Sequence, residues 1–312
     1  MNLKAVLIAL LAFAIYSTHD VVVKYLGALY SPFQIIFFTS LLSFPLVTLM
    51  LVRDPTAGNL RPVHPWWLAL RSISMATGAT GAFYAFSVLP LAQTYAILFA
   101  SPLLITLLSI PVLGEKVGLH RALAILIGLA GVMVVLRPGS SELSLGHLAA
   151  LIAALANATQ SIIVRKIGRE ERRVVMMLYP LGATFLVMGV ALPFVYVPMP
   201  VFDLGAMAVV AVFGFIAALC LVLAYTSGEA AVVAPMQYSQ IVWAALYGFF
   251  LFGENIDRAT WIGAGIVIAS GLYIVLREAL GGRSEHTPVL RTRSRSYAPG
   301  SFRISQTLRR KP

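Results

Sequence analysis

Long apolar stretches, each about the length of a membrane-spanning helix, alternate with short polar connections along most of this chain. A helix that spans a bilayer needs about 20 mostly apolar residues, and ten such segments can be placed. Numbered in chain order, segments 1 to 10 cover residues 5–26, 32–52, 66–89, 93–113, 119–136, 145–165, 174–195, 204–227, 230–252 and 260–276. The pattern predicts an all-α integral membrane protein with ten transmembrane helices.

The chain contains this pattern twice, with five segments in each copy. Residues 9–12 (Ala-Leu-Leu-Ala) match residues 150–153 (Ala-Leu-Ile-Ala) at an offset of 141, and Gly114-Glu115 matches Gly253-Glu254 later in each copy. An odd number of crossings per copy inverts the second copy in the membrane. Inverted repeats of this kind are common in secondary transporters, whose binding site lies at the repeat interface. We expect repeats over residues 1–140 and 141–280, followed by a tail over residues 281–312.

Composition agrees with a membrane protein. Of the residues, 59% are hydrophobic and 11% are charged, which is more apolar than soluble domains. The first segment follows Lys4 and includes Ala12-Phe13-Ala14, so it could be a cleaved signal peptide. Its repeat partner, segment 6, lies in mid-chain, where no signal peptide occurs. We therefore interpret segment 1 as a retained helix.

The net charge of +11 is explained by topology. With a cytoplasmic N-terminus, 20 of the 23 Lys and Arg residues fall on the inner side, and only Lys24, Arg137 and Arg258 fall on the outer side. Cytoplasmic connections of membrane proteins carry such an excess of basic residues. We expect both termini in the cytoplasm and no nucleic-acid partner.

The tail differs in composition from the rest of the chain. From Gly281 onward, arginines alternate with Ser, Thr and Pro, which predicts a disordered basic tail. Contact with anionic lipid headgroups is the simplest role, and a specific regulatory role is the alternative.

Several of these features together carry a family resemblance. They are the two five-segment repeats, the turn Leu89-Pro90-Leu91-Ala92 after a third segment rich in Gly and Ala, and Gly-Glu after segments 4 and 9. The chain resembles the EamA branch of the drug/metabolite transporter superfamily over residues 3–278. The resemblance implies a bacterial inner-membrane carrier with a central cavity lined mainly by segments 1, 3, 4, 6, 8 and 9. Substrates in that family include amino acids, nucleosides, sugars, vitamins, quaternary ammonium compounds and S-adenosylmethionine.

Segment 1 carries three candidates for coupling or gating, His19, Asp20 and Lys24. Asp20 precedes Lys24 by four residues, the favourable order for an ion pair on one helical face, and mutual neutralisation is the simplest interpretation. Asp20 lies ~24 Å along the helix from Lys4, in the outer third of the span. The alternative is proton coupling, because free imidazole has a pKa of about 6.5 and His19 adjoins Asp20.

Uncharged polar and aromatic side chains in the spans are candidates for substrate contact, since polar groups in a membrane usually face protein or a cavity. Gln237, Gln240 and, less closely, Trp243 share one helical face. Hydrogen bonding between helices or core packing is the alternative for each residue. The full set is Tyr84, Tyr95, Asn157, Gln160, Tyr225, Gln237, Gln240 and Trp243.

Prolines predict interrupted helices. Pro102 and Pro111 are expected to interrupt segment 4, and Pro235 is expected to interrupt segment 9. Such breaks often mark the binding region of carriers, although these prolines do not occupy matching repeat positions. Glu115 and Glu254 fall on opposite sides of the membrane, and each is predicted to cap the following helix.

The sequence lacks HExxH, CxxC and P-loop motifs, so we predict a secondary transporter without cofactor or metal. An integral-membrane enzyme or scaffold is the remote alternative. Without a P-loop, concentrative transport must use an ion gradient or a counter-solute.

The predicted lining is aromatic and amide-rich, with little charge. It suits a planar neutral or zwitterionic solute, and we expect uptake of riboflavin or an aromatic amino acid. Export of amino acids or another metabolite is the alternative. The chain is expected to act as a monomer or homodimer.

Overall fold

A computed structural model describes residues 3–52, 60–114, 118–137, 144–168, 170–227 and 233–280. The predicted tail and Glu115 lie outside these ranges. Secondary structure within them is entirely helical. The helices are α1 Leu3–Gly27, α2 Pro32–Val52, α3 Pro65–Val88, α4 Leu91–Leu98, α5 Ser101–Leu113, α6 Leu119–Leu136, α7 Leu145–Ile167, α8 Arg173–Val195, α9 Val201–Ser227, a 3-10 helix at Ala234–Tyr238, α10 Ser239–Phe252 and α11 Arg258–Leu280.

The predicted all-α membrane architecture is confirmed. Each predicted segment corresponds to one helix, except segments 4 and 9, which are split into α4 with α5 and the 3-10 helix with α10. Two shorter apolar helices, Ala122–Leu136 and Arg258–Ile274, accompany the long ones. The count of ten crossings stays a prediction. Among the described residues, six stretches are apolar and long enough to cross a membrane: Leu3–Gly27, Pro32–Leu49, Leu91–Leu113, Leu145–Ile167, Val174–Val195 and Val201–Ala224.

Segment 4 breaks where the first of its prolines predicts. Phe99 and Ala100 lie between α4 and α5, and Pro102 occupies the first turn of α5. Proline has no N–H to donate to the carbonyl four residues earlier, so the helix cannot continue regularly through this point. The predicted interruption at Pro111 is wrong. Pro111 lies inside α5, in its last turn, where few helical bonds remain to be lost.

The breaks in the two repeats occupy matching positions, although the prolines do not. Gly114 ends α5 and Gly253 ends α10, both in the left-handed conformation with φ of 68° and 64°, which glycine adopts at little cost. The offset between them places Phe99 opposite Tyr238, where the 3-10 helix gives way to α10. The two rings touch edge to face, with centroids 5.2 Å apart. The equivalent breaks therefore meet at the repeat interface.

Helix pairs follow the internal repeat. Helix α1 packs against α9 as its counterpart α7 packs against α3, while α2 pairs with α8 and α6 with α11. Helices α3 and α7 approach closely at Gly81, where an added Cβ would lie 2.6 Å from the carbonyl oxygen of Ala149. Small residues allow such close contact between membrane helices.

The largest buried cluster lies mainly toward one end of the bundle. This end, which carries Gly27, Leu89 and Gly253, is predicted to face outward and is called the outer end; the opposite end is the inner end. The cluster includes Leu26, Ile35 and Val135. The clusters toward the inner end, such as that around Ile163, are small. Apolar contact therefore joins the helices more extensively at the outer end.

The orientation of the bundle is testable with reporter fusions. Alkaline phosphatase fused after Arg283 is expected to be inactive and a fluorescent protein at that site active, because the charge distribution predicts that this end is cytoplasmic. Fusion within the connection between α8 and α9, after Val197, provides the opposite control. Active phosphatase after Arg283, with inactive phosphatase after Val197, would reverse the assignment.

Candidate functional site

A cavity of about 520 Å³ lies between the two repeats, within the size range of small-molecule sites. Its walls come from α1, α3, α4, α5, α7, the 3-10 helix and α10. None of its lining residues comes from α9, the helix of segment 8, although the side chains of residues 225 and 226 are outside the described set. The polar part of the wall includes Asp20, Tyr95, Asn157, Gln160, Gln237 and Gln240.

Several predicted contact residues therefore meet in one place, drawn from segments far apart in the chain. Tyr84 and Trp243 are not in the wall, and the side chain of Tyr225 is not described. A role in substrate binding stays a prediction for every residue in the set.

Helix geometry explains the two residues that lie elsewhere. Ala82 and Phe86 line the cavity, and Tyr84, midway between them, points about 200° away from each. Trp243 continues the face of Gln240 toward the outer end, where it stacks on Tyr247 with ring centroids 6.1 Å apart. At this level α10 packs against α1 and α4, so the same face is covered by protein.

Asp20 forms the centre of a hydrogen-bond network at the outer end of the cavity. One carboxylate oxygen accepts the Tyr95 hydroxyl, and the other lies 2.7 Å from Nδ1 of His19. Gln240 Nε2 donates weakly to the Tyr95 hydroxyl over 3.4 Å. The network connects α1 and α4 of the first repeat with α10 of the second.

Aromatic contacts hold the network in position. The Tyr95 ring is buried between Phe86, with centroids 5.3 Å apart, and Phe99, 5.9 Å apart. His19 lies outside the wall, with its ring 6.1 Å from that of Phe83 and against Gly214 of α9. His19 therefore contacts Asp20 on the side away from the cavity, whereas Tyr95 lines the cavity.

Lys24 does not pair with Asp20, so the predicted mutual neutralisation is wrong for this conformation. Its Nζ lies 2.8 Å from Oε1 of Glu254. It also donates to the carbonyl oxygens of Leu89, at 2.7 Å, and Phe86, at 3.2 Å. Three acceptors satisfy the three N–H groups of an ammonium. Asp20 is consequently the only charged residue in the cavity wall among those described.

Glu254 caps a different helix from the one predicted. Its Oε2 accepts the backbone N–H of Leu91 at 2.9 Å, so it caps α4, not the following helix α11. The N-terminus of α4, the positive end of its dipole, lies beside Glu254. The C-terminus of α3, the negative end of its dipole, lies beside Lys24. Asp257 instead precedes α11, where it accepts the Thr260 hydroxyl and pairs with Arg137.

Other contacts join the outer ends of the helices. The Tyr30 hydroxyl donates to Asp203 over 2.5 Å, and this hydrogen bond raises the pKa of Tyr30 to about 12. Tyr30 therefore stays a protonated donor at physiological pH. The buried Gln34 amide exchanges two hydrogen bonds with the backbone of Val197, at 2.8 and 2.9 Å.

Comparison with known proteins places these features in a family context. The model of the EamA-like transporter family matches twice, over residues 3–137 and 144–276. A solved structure called "Crystal structure of protein" is similar with a TM-score of 0.58 and 19% identity, covering 88% of this chain and 97% of that one. At this identity the structural likeness shows the fold alone.

Named relatives cover most of the chain. The S-adenosylmethionine uptake transporter of Rickettsia prowazekii is 28% identical, over 89% of this chain and 94% of that protein. The riboflavin transporter of Rhizobium johnstonii is 27% identical, over 70% of this chain and 73% of that protein. The pseudopaline exporter CntI of Pseudomonas aeruginosa is 25% identical, over 86% of this chain and 94% of that protein.

Proposed function

This chain belongs to the EamA-like transporter family, and on that premise we propose that it imports a cationic metabolite with a planar ring. S-adenosylmethionine is the proposed substrate. The proposed location is the bacterial inner membrane, with both termini in the cytoplasm.

The observation that carries the proposal is the Asp20 carboxylate in a cavity wall whose other described residues are uncharged. S-adenosylmethionine carries a sulfonium and an ammonium group, and one carboxylate in a desolvated wall attracts such charges strongly. The aromatic side chains beside it, Phe86, Tyr95 and Phe99, can contact the adenine ring and favour a cation. Amides on α7 and α10 supply hydrogen bonds for the ribose and the amino-acid end.

Relatives named as S-adenosylmethionine uptake transporters support this choice, because several of them match 86–89% of the chain at 27–28% identity. They cover more of the chain than the riboflavin transporter does. The sequence-based expectation of a neutral or zwitterionic substrate depended on a lining with little charge, whereas the Asp20 carboxylate lies in the cavity wall and Lys24 pairs with Glu254 instead.

Uptake of riboflavin is the second candidate. The riboflavin transporter relative favours it, together with the aromatic and amide groups of the wall. Riboflavin carries no positive charge, so its recognition would not need the Asp20 carboxylate. Dependence of transport on that carboxylate separates the two candidates.

The decisive experiment is uptake by purified protein in liposomes. We expect radiolabelled S-adenosylmethionine to enter, and excess unlabelled S-adenosylmethionine to compete while S-adenosylhomocysteine, which lacks the sulfonium charge, competes poorly. Empty liposomes provide the background. Saturable uptake of riboflavin without uptake of S-adenosylmethionine would favour the second candidate, and preferential efflux from preloaded cells would favour an exporter.

The two amides of segment 9 provide a test within the cavity. Gln240→Ala and Gln237→Ala are each expected to raise the apparent KM for S-adenosylmethionine by about 3- to 15-fold, the loss expected for one hydrogen bond. Gln93→Ala is the matched control, because the Gln93 amide contacts His147 outside the cavity wall. An unchanged KM in the Gln237→Ala, Gln240→Ala double variant would show that neither amide contributes to substrate recognition.

A further inference from the structure

The two ends of the cavity differ in how closely their helices pack, and the internal repeat allows equivalent helix pairs at the two ends to be compared. Helices α1 and α3 pack together, but no contact of comparable extent joins their counterparts α7 and α9 among the described residues. Helices α4 and α10 touch at the outer end, and no comparable contact joins the described residues of their counterparts, the 3-10 helix and α5. This structure is therefore closed at the outer end and more open toward the inner end.

Burial within the cavity follows the same gradient. Asp20 and Tyr95, at the outer part of the wall, are 9% and 4% exposed. Asn157, farther toward the inner end, is exposed. Exposure of the cavity wall therefore increases from the outer end toward the inner end, on the side of α7.

The Lys24–Glu254 pair joins the elements that close the outer end. Lys24 belongs to α1, its carbonyl acceptors lie at the C-terminal end of α3, and Glu254 follows α10 and caps α4. Opening the outer end requires α1 to leave α3 or α4 to leave α10, and these movements separate Lys24 from its present acceptors. The side chains are only 11% and 16% exposed, so an unpaired ammonium here is costly.

Asp20 is a second carboxylate within reach of Lys24. It lies one helical turn earlier on the same helix, with the acid N-terminal to the base. A lysine that loses Glu254 can therefore pair with Asp20 without any change in the backbone of α1. Asp20 contacts His19 Nδ1 and the Tyr95 hydroxyl, and a cation can join or displace these hydrogen-bond partners.

We propose that Lys24 alternates between Glu254, when the outer end is closed, and Asp20, when it is open, and that the substrate cation controls the exchange. This inference rests on the proposed function, because it requires a cation at Asp20. A substrate that enters from outside pairs with Asp20 and displaces Lys24, which then binds Glu254 and the α3–α4 turn. Closure behind the substrate thus depends on its binding.

Thiol accessibility tests the exchange without knowledge of the substrate. Cys220 is the only cysteine in the sequence, so the Cys220→Ser variant is a cysteine-free protein into which single reporter cysteines can be introduced. Ala82→Cys reports from the cavity wall, and an impermeant maleimide is added to right-side-out vesicles. Glu254→Gln is expected to speed labelling by about tenfold or more, because Lys24 keeps only Asp20. Asp20→Asn is expected to slow labelling by a similar factor, because Lys24 keeps only Glu254.

Two controls separate exchange from damage to the fold. Ser161→Cys is a second reporter in the cavity wall, labelled in inside-out vesicles. Its labelling rate should change in the direction opposite to that of Ala82→Cys, whereas unfolding would speed the labelling of both reporters. In a Lys24→Met background the effects of Glu254→Gln and Asp20→Asn should disappear, since both act through Lys24. The exchange would be overturned if Glu254→Gln and Asp20→Asn changed the labelling rate in the same direction. It would also be overturned if their effects persisted in the Lys24→Met background.

Addition of S-adenosylmethionine distinguishes the exchange from the substrate assignment. Under both proposals it slows labelling of Ala82→Cys from outside in the parent protein, and has no effect in the Asp20→Asn variant. Opposite shifts in the carboxamide variants without any effect of S-adenosylmethionine would support the Lys24 exchange and contradict the proposed substrate.

Discussion

Replacement of Asp20 by asparagine is expected to reduce S-adenosylmethionine uptake by about 30-fold or more, the effect of removing one partner from a desolvated charge pair. Asparagine keeps the shape of the side chain and an acceptor for the Tyr95 hydroxyl. The loss therefore reports the charge. Equilibrium binding of labelled substrate to purified protein, with membrane abundance measured in parallel, distinguishes weaker recognition from lower expression.

A matched change elsewhere controls for the general effect of losing a buried acid. Asp203 is 5% exposed and accepts the Tyr30 hydroxyl at the outer end, away from the cavity wall. Asp203→Asn should retain substrate affinity, because an amide oxygen still accepts this hydrogen bond. Full affinity and uptake in Asp20→Asn would exclude the carboxylate from recognition.

The same variant tests the alternative that Asp20 carries a coupling proton. If it does, Asp20→Asn should abolish accumulation against a gradient but spare exchange of internal for external substrate. If Asp20 binds the substrate cation, both activities should fall together. Exchange at the parent rate in liposomes without a pH gradient would therefore assign Asp20 to coupling.

Gly81→Val is expected to be the most destabilising single change at the α3–α7 contact. A Cβ at this position lies 2.6 Å from a backbone oxygen of α7, and a backbone atom cannot move aside as a flexible side chain can. The helices must separate, at a cost of about 1–3 kcal/mol or more. We expect less folded protein in the membrane and a lower temperature at which detergent-solubilised protein aggregates.

Gly265→Val on α11 is the matched control. An added Cβ there has no neighbour within 4 Å, so the same substitution adds bulk toward the surroundings of the bundle. Similar thermal behaviour in the two variants would show that the α3–α7 contact tolerates separation, and would contradict the importance of Gly81.

The fold class could be predicted from the sequence because it depends on the composition of single continuous segments. An apolar run long enough to span a bilayer must form a helix, since no water is present to satisfy its backbone. The matching residues near Gly114 and Gly253 indicate two repeats, and the family model also matches twice, over residues 3–137 and 144–276. The break at Pro102 was equally local, because it depends on one missing N–H.

Partners across the bundle could not be derived in this way. Spacing along α1 favoured Lys24 with Asp20, whereas the folded protein gives Lys24 a carboxylate 230 residues away together with two carbonyls at the C-terminal end of α3. The pairing depends on how α1, α3 and α10 approach one another, which the periodicity of any one helix does not specify. The same holds for Tyr84 and Trp243, whose chemistry suited a cavity that their helical faces do not reach.

The sequence by itself determined the membrane helices, the internal repeat and most of the polar residues available for a site, because these depend on local composition and spacing. Only the tertiary structure decided that Asp20 is the charged member of the cavity wall and that Lys24 and Glu254 lie together at the closed outer end. These outcomes depend on distances between helices, and a buried ion pair is favourable only where the folded protein also satisfies the remaining hydrogen bonds of both groups.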